Sequence, residues 1–140
     1  MDNNVTQQKA GFNIHVPFVE HLGIRILEKS EGLVKLRLDP RPELLNSWGS
    51  VHGGVLMAFA DHGLSMLAWE AAERAPCTTI QLNTHFLDAI TPGEFLDIRG
   101  EVTRRTRGLV FVRGVITARG ADAARDVGAI DGIWRVLRTR

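Results

Sequence analysis

The chain lacks most of the features that would tie it to a cofactor or a compartment. It has one cysteine, Cys77, in 140 residues, so an intrachain disulfide is impossible, which fits a reducing compartment. Cys77 follows Pro76 at the start of a strand-like run and reads as a small buried hydrophobe rather than a nucleophile. The His, Cys and Asp spacing of a metal site is missing, and neither a metal nor a redox cofactor is expected. The glycines at 49, 53 and 54 do not follow a strand in the spacing of a dinucleotide fingerprint, and no glycine-rich loop ends in Lys-Ser or Lys-Thr. A formal net charge of +1 gives no general reason to expect nucleic acid. The opening MDNNVTQQKAG is polar and lacks the apolar core of a secretory signal, so the expected location is cytoplasmic. The longest apolar stretch, from Val51 to Ala75, is interrupted by His52, Asp61, His62 and Glu70, short of the roughly 18 residues a membrane crossing needs. Repeats and low-complexity segments are also missing.

What is present fits one domain, because 140 residues with 44% hydrophobic content can fill one core and leave no room for a second. Residues 1–19 are expected to form an N-terminal arm and residues 20–140 the domain. Val16 to Gly23 has the makings of a short helical turn ended by glycine. Ile24, Ile26 and Leu27, then Leu33, Val34, Leu36 and Leu38, bracket Lys29-Ser30-Glu31-Gly32 as two strands around a turn. Asp39-Pro40-Arg41-Pro42 stops the second strand. Residues 43–51 form a loop, and 51–75 are apolar on all sides, which predicts a helix buried on most of its surface. Strands are expected at about 77–88, 94–106, 109–119 and 126–138, with turns at Thr91-Pro92-Gly93, Thr106-Arg107-Gly108 and Gly120-Ala121-Asp122. Two strands, one long helix and four strands imply an α+β domain, a curved antiparallel sheet of about six strands around a central helix.

The chemistry concentrates at Val51-His52-Gly53-Gly54 and at Asp61. Two glycines opening a helix expose backbone N–H groups with no Cβ in the way, at the positive end of the helix dipole, where a polarised carbonyl or an anion is welcome. Asp61 stands alone in an apolar helix and needs a reason to be there, because an unpaired buried carboxylate costs of order 1–3 kcal/mol even when partly compensated. Taken singly, each feature has a structural reading: Asp61 satisfied at a subunit interface, His52 as a capping neighbour, the glycines as a tight turn.

Asn46, then Val51-His52-Gly53-Gly54, then Asp61 resembles the hotdog-fold acyl-CoA thioesterases, in particular the PaaI-like phenylacetic acid degradation branch. Asn46 precedes His52 by six residues and Asp61 follows it by nine; Thr79 falls where that branch places a hydroxyl on the strand after the helix, and the likeness covers roughly residues 20–138. The resemblance implies a homodimer that pairs edge to edge, often associating further into a homotetramer. Each site would take Asn46, His52 and Gly53 from one subunit and Asp61 and Thr79 from the other. It implies an acyl-CoA substrate, a small aryl or short-to-medium acyl thioester, with coenzyme A entering only as part of that substrate.

Thioester hydrolysis needs a donor for the carbonyl oxygen and a carboxylate that activates water or attacks directly. The Gly53 N–H would supply the first, a contact whose removal typically costs about 10²–10³ in rate, and Asp61 the second. Asn46 can hold the water or the thioester, Thr79 can orient the water, and His52 has a positioning role. Thr79 has a plainer explanation as a β-branched strand residue. Gly54 shares the helix start. Trp48 lines the acyl pocket or packs the loop against the helix. Arg104, Arg105 and Arg107, with Arg113 nearby, could meet coenzyme A phosphates, and a solvated hairpin tip explains them equally. His62, Trp69 and Trp134 read as structural or interface residues. A hotdog enoyl-CoA hydratase would pair its Asp with a His a few residues later, a spacing Asp61 lacks. A non-catalytic acyl-CoA-binding protein shares the same fold.

Overall fold

The computed structural model describes residues 15–38, 41–120 and 123–138. Of the expected N-terminal arm, residues 1–14 lie outside them, as do Asp39 and Pro40 of the strand stop and Ala121 and Asp122 of the last turn. Pro17 opens helix α1 (Pro17–Leu22), and Gly23 ends it in the left-handed region at φ 76, its N–H returning to the carbonyls of Glu20 and Val19. The chain then runs through β1 (Ile24–Ser30), β2 (Leu33–Leu38), a 3-10 turn (Pro42–Leu44), α2 (Gly53–Ala71), β3 (Cys77–Phe86), β4 (Phe95–Arg105), β5 (Leu109–Arg119) and β6 (Arg125–Val136).

The six strands form one sheet in the order β1-β2-β4-β5-β6-β3, and every neighbouring pair is antiparallel. The sheet's inner face buries Val34, Leu36, Leu96, Ile98, Val110, Val112, Ile116 and Trp134 against Leu56, Phe59, Ala60 and Leu64 of α2. At two facing positions the helix comes too close for any side chain: a Cβ at Gly114 would stand 2.9 Å from Leu64 Cδ2, and one at Gly100 3.0 Å from the same atom. Glycine in the middle of paired strands weakens them, so its presence there marks a close approach.

The helix is shorter than the apolar stretch that encodes it. It opens at Gly53, because His52 is already extended, and closes at Ala71, because Glu73 and Arg74 adopt left-handed backbone at φ 56 and 67 and turn the chain back toward β3. One stripe of α2 is not covered by the sheet: Met57, Ala58, Asp61, His62, Ser65 and Trp69 all keep part of their surface exposed. Beside that stripe, the outer edge of β3 pairs with nothing among the described residues. β3 contains no Lys, Arg, Asp, Glu or Pro, the residues that normally blunt an edge strand, and it exposes Ile80 and Phe86.

Candidate active site

The loop before α2 is locked from three sides. Leu45 and Val51 form a β-bridge. The Val51 N–H donates to the Ile90 carbonyl at 2.9 Å and the His52 N–H to the Leu44 carbonyl at 2.9 Å. Ile90 belongs to the β3–β4 connection, which Arg125 of β6 holds through Asp88, Glu94 and the Ala89 carbonyl. The Glu94 carboxyl is drawn below the ordinary glutamate range by Arg125, against a smaller opposing effect of burial. The Asn46 Oδ1 accepts from the backbone N–H groups of Trp48 and Ser50, and its Nδ2 donates to Ser50 Oγ at 2.8 Å. The Asn46 carbonyl is therefore used to shape the loop, and only its second amide hydrogen remains for a ligand.

At the start of α2 the backbone donors are almost all taken. The Val55 and Leu56 N–H groups donate to the His52 carbonyl, and the Gly54 N–H donates to His52 Nδ1 at 2.9 Å. The Gly53 N–H alone has no partner among the described residues. His52 is thus the helix cap, its Nδ1 accepting, and Gly54 is occupied by it. A Cβ on Gly53 would meet the Phe86 ring at 3.2 Å, so glycine here leaves room for an aromatic wall beside the free donor.

Asp61 lies on the half-buried stripe of α2. Its Oδ1 accepts from Thr79 Oγ1 of β3 and, at 3.5 Å, from Ser65 Oγ one turn further along α2. Ser65 Oγ in turn accepts from the indole of Trp134 at 2.8 Å, a side chain with no exposed surface. His62 is its other titratable neighbour: burial pushes the imidazole below its usual range, the Asp61 charge opposes this, and its Nε2 is buried with no partner among the described residues.

Gly53 and Asp61 do not meet within one protomer. Eight residues of helix separate them, about 12 Å along the axis at roughly 1.5 Å per residue. Arg105 lies farther off. Arg105 Nε donates to the Ala71 carbonyl at the opposite end of α2, about 27 Å from Gly53 along the same axis. Arg113 pairs with Glu101, and the Arg107 carbonyl accepts from Arg138. Trp48 is 90% exposed, so of its two readings the packing of the loop against the helix does not hold within the protomer. Cys77 is half-buried, and burial raises its thiol above the usual range despite Arg105, as befits a packing residue. An open pocket of about 710 Å³ lies between the β1–β2 turn, Leu67, Glu70 and Val102, on the far side of α2 from Asp61. The described residues contain no cluster of three metal-ligating side chains and no helix long and apolar enough to cross a membrane.

Sequence reasoning missed Phe86, Ser65 and the role of Trp134. Ser65 was within reach, since it sits four residues after Asp61 and shares its helical face; the other two arrive only through strand pairing.

A single helix held in a curved antiparallel sheet is the hotdog architecture, and the chain belongs to the Thioesterase superfamily, whose pattern matches residues 49–123. It is similar to the proposed esterase Rv1847 of Mycobacterium tuberculosis, 35% identical over 88 residues; that stretch is 60% of this chain and 63% of the relative's length. The solved structure of that protein superposes with a TM-score of 0.73 at 30% identity, over 89% of this chain and 99% of the other. The PaaI protein of E. coli, from the phenylacetic acid degradation operon, shares the fold with a TM-score of 0.75 at 18% identity, over 97% and 94% of the two chains. A mutant of the phenylacetic acid degradation protein PaaI from Thermus thermophilus does so at 0.71 and 23% identity, over 87% and 100%.

Proposed function

We propose that this protein is an acyl-CoA thioesterase of the PaaI-like branch, hydrolysing a small aryl or short-to-medium acyl-CoA to the free acid and coenzyme A without metal or redox cofactor, in the cytoplasm. The observation that carries this reading is the pairing of one unpartnered helix-start amide, Gly53, with a lone carboxylate, Asp61, displaced along the same helix by about 12 Å. Two copies joined along β3, their α2 stripes facing in antiparallel fashion, bring Gly53 of one protomer toward Asp61 of the other. The uncharged edge of β3 and the exposed stripe of α2 support such a dimer. Further association into a tetramer fits the same reading.

In this site the Gly53 N–H polarises the thioester carbonyl and receives the developing oxyanion. Asp61, held through Oδ1, uses its other oxygen either to take a proton from water, which attacks the carbonyl carbon, or to attack that carbon itself. Either route expels the coenzyme A thiolate, which is then protonated, and in the second water hydrolyses the resulting anhydride. Thr79 fixes the acid, His52 fixes the loop, and the remaining amide hydrogen of Asn46 contacts the thioester or water. Trp48, exposed at the loop tip, becomes a wall for the substrate, Gly54 flanks the donor, and Arg104, Arg105 and Arg107 meet the phosphates of coenzyme A across the dimer.

The test is thiol release from a panel of acyl-CoA thioesters by the wild type and by Asp61→Ala. Release from at least one thioester, reduced about 10²–10⁴-fold in kcat by the substitution, is expected. Unchanged release in the variant removes Asp61 from the mechanism, and tight acyl-CoA binding without release by the wild type identifies a binding protein instead.

A further inference from the structure

Trp134 ends a line of polar contacts that packing does not require. Its ring is fully buried in the inner face of the sheet, and an indole N–H can only donate. The acceptor it finds is Ser65 Oγ at 2.8 Å. Because the indole hydrogen occupies one acceptor site of that oxygen, the Ser65 hydroxyl hydrogen is free to point onward, and Asp61 Oδ1 lies 3.5 Å away. Thr79 donates to the same Oδ1 from the strand side, and Oδ2 has no hydrogen bond among the described residues.

We propose that Trp134 and Ser65 form a positioning relay, running from the buried indole through the half-buried hydroxyl to Asp61 Oδ1, that fixes which carboxylate oxygen is held and which is left to react. This rests on Asp61 being the reactive acid. The relay ties the acid to the rigid middle of the sheet: Trp134 pairs in register with Val110 of β5 and Thr79 of β3, so both donors to Oδ1 are set by the same row of strands. Neither Trp134 nor Ser65 touches the thioester; each acts through Asp61. The titratable groups around the relay are His62 beside Asp61 on α2, Cys77 on β3, whose thiol approaches the Ala68 carbonyl, and Arg105 on β4 at the Ala71 carbonyl.

Two measurements test it, one of which needs no turnover. In the NMR spectrum the chain has three indole N–H resonances, one per tryptophan, and Trp134→Phe identifies the one of interest. In the wild type that resonance is expected to shift as the Asp61 carboxyl titrates, and the step is expected to vanish in Asp61→Asn and in Ser65→Ala. A step that persists in Ser65→Ala, or survives Asp61→Asn and so belongs to His62, overturns the relay, as does no step at all. In the kinetic arm, Ser65→Ala is expected to lower kcat about tenfold with KM within about twofold, and Ser65→Thr to recover most of the loss by restoring a hydroxyl. Equal kcat in Ser65→Ala and wild type overturns the positioning role. If the wild type hydrolyses no thioester, the functional proposal fails while the indole titration still decides the relay.

Discussion

In the proposed mechanism Asp61 works through the inequality of its two oxygens. One is gripped by hydroxyls from two different elements, Thr79 and Ser65, so an acid that would otherwise be costly in an apolar helix is held by donors without being fully used up. Thr79→Val keeps the β-branched shape of the strand and removes only the donor. It is expected to lower kcat roughly tenfold while leaving the thermal midpoint within a few degrees, a split that steady-state kinetics and calorimetry would reveal; an unchanged kcat would make Thr79 a strand residue only. His62 gives a second prediction at this scale. Its imidazole is held below its ordinary range near 6.5 by burial, so below that pH the unfolded chain takes a proton that the folded chain refuses, and stability falls as pH falls. Urea midpoints between pH 7.5 and 5.5 should therefore decline more steeply in the wild type than in His62→Gln, and parallel curves would contradict it. Among the residues, the sequence made Asp61, Gly53 and His52 legible because an isolated acid and paired glycines are anomalies in an apolar helix. It did not reveal that the Asn46 carbonyl is consumed by its own loop, which depends on how residues 46–50 fold back on themselves, or that Phe86 stands against Gly53, which depends on where β3 places a residue distant in the chain.

At the scale of elements, the proposed site depends on how closely α2 sits on the sheet. Gly100 and Gly114 open the inner face just where Leu64 descends onto it, which sets the height of Asp61 against Thr79. Gly114→Val would drive a side chain into Leu64 and into the Arg99 carbonyl 2.9 Å away. The expected cost is about 1–3 kcal/mol, the usual range for overpacking, read from urea unfolding; a variant as stable as the wild type would show that the helix has slack. The element order was readable because the hydrophobic period changes cleanly from alternation to an all-round apolar run and back. Boundaries were less so: the apolar pattern continues to Ala75, but the left-handed backbone at Glu73 and Arg74 ends the helix four residues earlier, at Ala71, and neither residue advertises that conformation.

For the whole molecule, the single protomer presents a finished fold, within which the proposed site is incomplete. Its core is complete around α2, yet a helix stripe carrying the acid, an uncharged sheet edge and a 90% exposed Trp48 all face outward. The proposed dimer gives each of these a neighbour and supplies each Gly53 with an acid from the opposite chain. That division is what the family resemblance implies; the residue spacing alone gives no ground for it until the helix is built and the offset becomes about 12 Å.

The most direct measurement uses two crippled chains. Proline suits the first helical position, and His52 already has the extended backbone, at ψ 139, that a following proline demands, so Gly53→Pro deletes the donor and displaces only the exposed Phe86 ring, which a Cβ at Gly53 would meet at 3.2 Å. Gly53→Pro and Asp61→Ala should each be nearly inactive alone. Co-expressed with different tags and purified as the mixed dimer, they should recover about half of the wild-type activity, because one of the two sites then draws an intact amide from one chain and an intact acid from the other. A mixed dimer no more active than its parents would contradict a site shared between protomers.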